Sequence, residues 1–392
     1  MTAAAASRDS LVRSPVRIAV GLLLLLCCAP LSAHPVRRFF SLNRVNSQIQ
    51  GRVFDFTRNH GSDNRIWSPA LRQKRDMYVY VPPGYDPCQQ YPLLLWLHGI
   101  AQDEFTFLHD VIIPLDKAIS AGRLPPVVIV APDGSIRGLD CFLTSSSFFL
   151  NSEAGCYEDY LMVDVWNFVM SRFSIRPERD AHAVLGVSLG GAAAFNKAIK
   201  YSACFRHVVG VFPPLNLRWQ DCHGHYRANF DPDCWGWRTD FVHRRTVLAR
   251  FYGLPIRTKT ILNPLYGRHN PETLPAVIRN NPIEMLDLYD VQPGQLEMYV
   301  AYGGKDQFNI PAHIESFLFV AHQRGLEVGV GYEPEGKHNR ATAERLLPGI
   351  IDWLGSRLAP FEPDASAPVP LIVPGPCGIL QSIAGGSSPL LP

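Results

Sequence analysis

Six residues, Gly186-Val187-Ser188-Leu189-Gly190-Gly191, restrict the fold of this chain more than any other stretch. The apolar run Ala183–Leu185 precedes them and Ala192-Ala193-Ala194-Phe195 follows. That is Gly-x-Ser-x-Gly between a strand and a helix former, the pattern of a nucleophile elbow. So sharp a turn crowds the positions two before and two after the serine, and both are glycine. The turn holds Ser188 in a strained conformation with its hydroxyl presented to solvent. The helix that follows points its free N–H groups and its dipole at the same spot, which favours negative charge there.

The rest of the chain agrees with a sheet that such an elbow can top. β-rich runs fall at Arg52–Thr57, Met77–Val81, Leu93–Leu97, Val127–Val130, Ala183–Val187, Val208–Phe212, Leu296–Tyr302 and Leu326–Tyr332. The first two alternate, as an exposed antiparallel edge would. Leu93–Leu97 and Val127–Val130 are continuous and apolar, as strands buried on both faces require. Helical spacing appears between the runs, at Tyr160, Val163, Asn167 and Met170, over 192–199 and over 314–322. The alternation predicts an α/β fold: about eight strands, mostly parallel, with helices on both faces. One stretch breaks the rhythm. About 213–293 carries Pro213-Pro214, two cysteines and the aromatic residues Trp219, Tyr226, Trp235, Trp237 and Phe241. It reads as an insertion between the sixth and seventh strands, a lid or pocket wall. The cluster would stack a sugar or an aromatic acyl group, or else pack the insertion itself.

A serine hydroxyl needs a base, and the elbow predicts the chain order serine, acid, histidine. After the seventh run comes Gly303-Gly304-Lys305-Asp306, and after the eighth Glu333-Pro334-Glu335-Gly336-Lys337-His338. Both loops follow strand C-termini, where open α/β sheets place their sites. His338 is therefore the expected base for Ser188, with Asp306 orienting its imidazole. His98, His182, His313 and His322 are read as structural. Asp287, Asp290, Glu333 and Glu335 compete for the acid role but lie outside the expected order. The oxyanion hole is assigned to the backbone N–H of Leu189 and of Ile100, with Ala101 as the rival of Ile100. This chemistry needs no cofactor and no metal.

The ends have a different character. Ile18–Ala29 is a twelve-residue apolar run, preceded by Arg13 and Arg17 and followed by Leu31-Ser32-Ala33. It is too short to span a bilayer, which takes about 20 apolar residues. It reads as a signal peptide over 1–33, cleaved after Ala33. A secreted or periplasmic hydrolase domain would then occupy 34–358. From 359 to 392 Pro, Gly and Ser dominate, a composition that predicts a flexible tail. Charge supports the division. The chain holds 37 Lys+Arg and 35 Asp+Glu, and without residues 1–33 it holds 34 of each. A neutral remainder lacks the surplus of cations that nucleic-acid binding requires. It suits an uncharged ester substrate, a small molecule or an esterified carbohydrate.

Seven cysteines remain after cleavage: Cys88, Cys141, Cys156, Cys204, Cys222, Cys234 and Cys377. In an oxidising compartment most should pair. Short loops favour Cys141–Cys156 and Cys222–Cys234, and an odd count leaves at least one free. Cys222-His223-Gly224-His225 with Asp231, Asp233 and Cys234 could also be drawn as a metal set, but pairing of the two cysteines is the favoured reading.

Together these residues resemble the esterase family of α/β-hydrolases that includes feruloyl and acetylxylan esterases, S-formylglutathione hydrolase, enterochelin esterases and mycolyltransferases. The matching segments are Met77-Tyr78-Val79-Tyr80-Val81-Pro82-Pro83-Gly84-Tyr85, Tyr91–Gly99, Ala131-Pro132-Asp133-Gly134, the elbow, and the loops of Asp306 and His338. The resemblance spans about 50–357 apart from the insertion. It implies the α/β-hydrolase fold and a serine hydrolase of carboxylic esters. An acyltransferase to a sugar or lipid alcohol is the first alternative. A non-catalytic carbohydrate-binding or surface-interaction protein on the same fold is the second.

Overall fold

In the computed structural model the described residues are 41–136, 146–241, 245–251 and 254–358, with 372–373 and 381–382 as a small strand pair. The expected signal peptide lies outside them, as does nearly all of the expected tail. Eight strands form the main sheet. They are β1 (Arg52–Phe56), β2 (Met77–Val81), β3 (Leu93–Leu97), β4 (Val128–Pro132), β5 (His182–Val187), β6 (His207–Val211), β7 (Glu297–Gly303) and β8 (Val328–Glu333). Their order across the sheet is β1-β2-β4-β3-β5-β6-β7-β8. The pairs β1/β2 and β2/β4 are antiparallel, and all others are parallel. This is the mixed α/β sheet that the sequence implies.

The central strands are where they are because they are apolar on both faces. All five residues of β3 and of β4 are buried, and the core cluster runs continuously through the sheet and its covering helices. The alternation in Met77–Val81 misleads on one point. β2 lies between β1 and β4, and every one of its residues is buried, the two tyrosines included. Tyr80 satisfies its hydroxyl by donating to Asp116 at 2.8 Å, which lets a polar tip sit inside.

The longer α-helices are α1 (Ile112–Ser120), α2 (Trp166–Arg172), α3 (Leu189–Lys200), α4 (Thr258–Tyr266), α5 (Thr273–Arg279), α6 (Pro282–Leu288), α7 (Ile310–Gln323) and α8 (Arg340–Leu358), beside shorter helical segments. Between β6 and β7 the chain makes two hairpins, 219–221 with 235–237 and 247–251 with 254–257, followed by α4, α5 and α6. Cys222 and Cys234 form a disulfide that closes the first hairpin. Cys156 is also disulfide-bonded, while Cys141 lies outside the described residues. Cys204 is a buried free thiol and Cys88 an exposed one. Among the described residues no helix is long and apolar enough to cross a membrane.

Beneath the C-terminal edge of the sheet sits a buried ion pair. Arg75 donates to the Asp133 carboxylate at 2.7 Å and to the Ser135 carbonyl at 2.6 Å. Burial alone would raise the Asp133 carboxyl, but the Arg75 guanidinium outweighs it and holds the pKa at about 2. A carboxylate depressed in this way stabilises the fold above its ordinary pKa of 3.8, and the contribution is lost as pH falls toward 2. Arg75→Met leaves that carboxylate buried without its cation. The expected loss is about 3–5 kcal/mol, to be read from urea denaturation at neutral pH. An unchanged midpoint would mean that Asp133 does not depend on Arg75.

Candidate active site

Ser188 is the hinge between β5 and α3. Its backbone has φ 55° and ψ −122°, a region costly for a residue with a Cβ, of order 1–3 kcal/mol. Its N–H is fixed by the Val211 carbonyl at 2.7 Å. The flanking glycines are required sterically. A Cβ on Gly186 would stand 2.0 Å from the Gly190 carbonyl oxygen, and one on Gly190 would stand 2.3 Å from the Leu97 oxygen.

Two loops deliver the partners. The β7 and β8 loops are stitched together by Gly304 N–H to the Glu333 carbonyl (2.9 Å) and Lys305 N–H to the Gly336 carbonyl (2.8 Å). Lys305 and Glu335 add an ion pair. Asp306 and His338 thereby meet, with Nδ1 of the imidazole 2.7 Å from Asp306 Oδ2. Its Nε2 lies 3.0 Å from Ser188 Oγ. An ionised carboxylate only accepts, so Nδ1 carries the proton and Nε2 keeps a lone pair toward the hydroxyl. Asp306 has a second tie, accepting from Phe308 N–H at 2.8 Å. Gln307 Oε1 accepts from His338 N–H at 3.2 Å. The rings of Phe212 and Phe308 flank the imidazole at centroid distances of 4.9 and 4.8 Å. The four competing acids are elsewhere. Asp287 and Asp290 pair with Arg324, Glu333 with Arg345 and Glu335 with Lys305.

The loop after β3 abuts the elbow. A Cβ on Gly99 would lie 3.2 Å from Ser188 Cβ. His98 braces this loop from behind. Its Nδ1 donates to the Gly99 carbonyl at 2.9 Å and its Nε2 accepts from Gly134 N–H at 2.8 Å, so both nitrogens are spent on backbone. Leu189 opens α3, where the first N–H groups have no partner within the helix. Ile100 and Leu189 both line the cleft that Ser188 and His338 enter. His182 is likewise committed to the carbonyls of Cys204 and Arg176.

The remainder of the cleft is mostly apolar, and most of its wall comes from the chain between β6 and β7. Leu217, Phe241, Ile261, Leu262, Leu265 and Val277 face Phe148 and Leu150 across it. The aromatic cluster divides. Trp219, Phe230, Trp235 and Trp237 pack on one another and on Phe319, whereas Tyr226 and Phe241 reach the cleft. Tyr226 donates to the Phe308 carbonyl at 2.6 Å, and Asn309 donates to the Tyr226 carbonyl at 2.7 Å, tying this wall to the Asp306 loop. The disulfide removes Cys222 and Cys234 from the metal set drawn above, because a thiolate is the ligand zinc requires. Sequence reading missed Gln307, Phe212, Phe308 and Arg238. Only the last left a signal, a lone cation closing the aromatic run Trp235-Gly236-Trp237.

A family model described as "Putative esterase" matches residues 68–345. Esterase Rv1288 of Mycobacterium tuberculosis is 27% identical over 173 residues, covering 43% of this chain and 36% of that protein. Endo-1,4-beta-xylanase Y of Acetivibrio thermocellus is 36% identical over 173 residues, 41% of this chain and 15% of that protein. The matches thus span well under half the length of these relatives. Among solved structures, a ferulic acid esterase superposes with TM-score 0.57 at 16% identity, over 79% of this chain and 100% of that one. The S-formylglutathione hydrolase of Agrobacterium tumefaciens gives TM-score 0.56 at 16% identity, over 79% and 97%. At such identities the likeness establishes a shared fold.

Proposed function

Since the chain belongs to the Putative esterase family, we propose that it is a serine hydrolase that cleaves a carboxylic ester with Ser188, His338 and Asp306. One observation carries the reading: His338 bridges the hydroxyl at 3.0 Å and the carboxylate at 2.7 Å. Ser188 Oγ attacks the ester carbonyl while Nε2 of His338 takes its proton. Asp306 holds the tautomer and stabilises the imidazolium. The oxyanion is met by the N–H groups of Leu189 and Ile100. His338 returns the proton to the departing alcohol, leaving an acyl-serine. Water then attacks that acyl group with His338 again as base, restoring the free hydroxyl.

The protein is proposed to be exported, on the strength of the apolar run Ile18–Ala29 and its flanks. An esterified carbohydrate is the proposed setting of the ester, supported by the similarity to a segment of Endo-1,4-beta-xylanase Y. The apolar cleft also favours a second reading, transfer of the acyl group to another alcohol. Product analysis with and without an alcohol acceptor separates the two. The direct test of the main reading is labelling with a fluorophosphonate probe. Wild type should label, and Ser188→Ala should not; equal labelling of both would overturn it. A panel of chromogenic esters of graded chain length, with acetylated and feruloylated sugars, would define the acyl group.

A further inference from the structure

Four lysine or arginine side chains are buried among the described residues: Arg75, Lys197, Arg218 and Arg238. Three have a carboxylate partner, Arg75 with Asp133, Lys197 with Glu158 and Arg218 with Glu284. Arg238 has none among the described residues. It is 9% exposed. Its Nη1 reaches Thr258 Oγ1 only at 3.4 Å, and its Nε is buried without a hydrogen-bond partner. The guanidinium stacks on the Phe241 ring, 4.4 Å from the centroid. Asp240 also attracts it.

This residue lines the same cleft as Ser188 and His338. His313, also in the cleft, adds no positive charge, because burial drives its pKa down to about 3. A buried charge without a counter-charge is costly, and a guanidinium cannot shed its proton to escape the cost. An anion brought by a ligand would offset that cost. The planar fork of arginine matches a carboxylate in particular. The free space in the cleft is about 90 Å³, less than the ~150 Å³ that admits benzene to an apolar cavity. Ser188 and Arg238 both line this small space.

We propose that Arg238 binds a carboxylate carried by the substrate, so that the acyl or alcohol group seated in the cleft beside Ser188 is short and acidic. The inference rests on the serine-hydrolase reading of the cleft. The carboxylate has two possible sources. It sits on the acyl side in a half-ester of a dicarboxylic acid, or on the alcohol side in an ester of a hydroxy acid. The neutral charge balance of residues 34–392 concealed this, since a sum over so long a stretch says nothing of one buried cation.

The test uses the full chain and two matched pairs: monoethyl against diethyl succinate, and O-acetyl-lactate against its methyl ester, the latter followed by acetate release. Wild type is expected to favour the acidic member of one pair by at least about tenfold in kcat/KM, and that pair identifies the side. Arg238→Met should reverse the preference, and Arg238→Lys should keep part of it. A binding readout runs beside this. Succinate should raise the melting temperature of Ser188→Ala and should not raise that of the same variant carrying Arg238→Met. Wild type that favours the neutral ester in both pairs, or Arg238→Met that keeps the acidic preference, overturns the proposal. Should Arg238→Met fail to fold, the wild-type ratios and the succinate shift of Ser188→Ala still decide. Failure of the hydrolase reading looks different: no ester is cleaved and no fluorophosphonate label appears, whatever succinate does.

Discussion

Ser188→Ala is expected to lower ester turnover by about 10⁶-fold, the scale seen when a hydrolase of this mechanism loses its nucleophile. KM should move little, because the apolar wall and the two proposed backbone donors remain. Steady-state kinetics on one chromogenic ester reads the loss, and a deficit below tenfold would sink the assignment. The elbow adds a stability signature. Ser188 and its alanine variant share the strained φ of 55°, whereas glycine adopts it freely. Ser188→Gly should therefore be as inactive as Ser188→Ala yet more stable, by about 1 kcal/mol. Equal stability of the two variants would mean that the elbow stores no strain.

Asp306→Asn is expected to reduce kcat by about 10⁴-fold. The carboxylate accepts from Nδ1 of His338 at 2.7 Å. An asparagine can turn its NH₂ group to that nitrogen, shifting the proton to Nε2, where it faces Ser188 and blocks proton transfer. The Phe308 N–H would still find an oxygen, so the loop should keep its shape and the protein its melting temperature. Glu333→Gln and Glu335→Gln, on the loop before His338, should stay within twofold of wild type. If either glutamate variant lost more activity than Asp306→Asn, the acid would be misassigned.

Much of this arrangement was legible because its signals are local. The elbow is six consecutive residues, and the loops of Asp306 and His338 follow apolar runs that became β7 and β8 within one or two residues. Helix α3 was announced by alanines behind the elbow. Burial of β2 was not legible: alternation in Met77–Val81 suggested an exposed face, but Tyr78 and Tyr80 are tyrosines whose hydroxyls find partners inside. The chain between β6 and β7 hid its elements for another reason. Its strands are three to five residues long and α4 is a short helix with Pro264 inside it, so no periodicity builds up. Phe212 and Phe308 flank His338 only because strands far apart in sequence converge. Arg238 was visible as a residue but not as a buried one, since its isolation depends on which acids fail to reach it.

The ties between Tyr226, Phe308 and Asn309 bear on how this scaffold could be re-engineered. Pocket walls in hydrolases invite treatment as exchangeable cassettes, swapped to alter selectivity while the catalytic chassis stays constant. Here the wall is bolted on at Phe308, the residue whose N–H anchors Asp306, and at Asn309 beside it. A chimaera without a tyrosine at 226 would lose the hydroxyl that donates to the Phe308 carbonyl, and one whose backbone also departed there would lose the main-chain carbonyls of residues 226 and 228 that Asn309 donates to. Selectivity and rate would then fall together, and the useful exchange unit is the segment plus the loop that begins at Asp306.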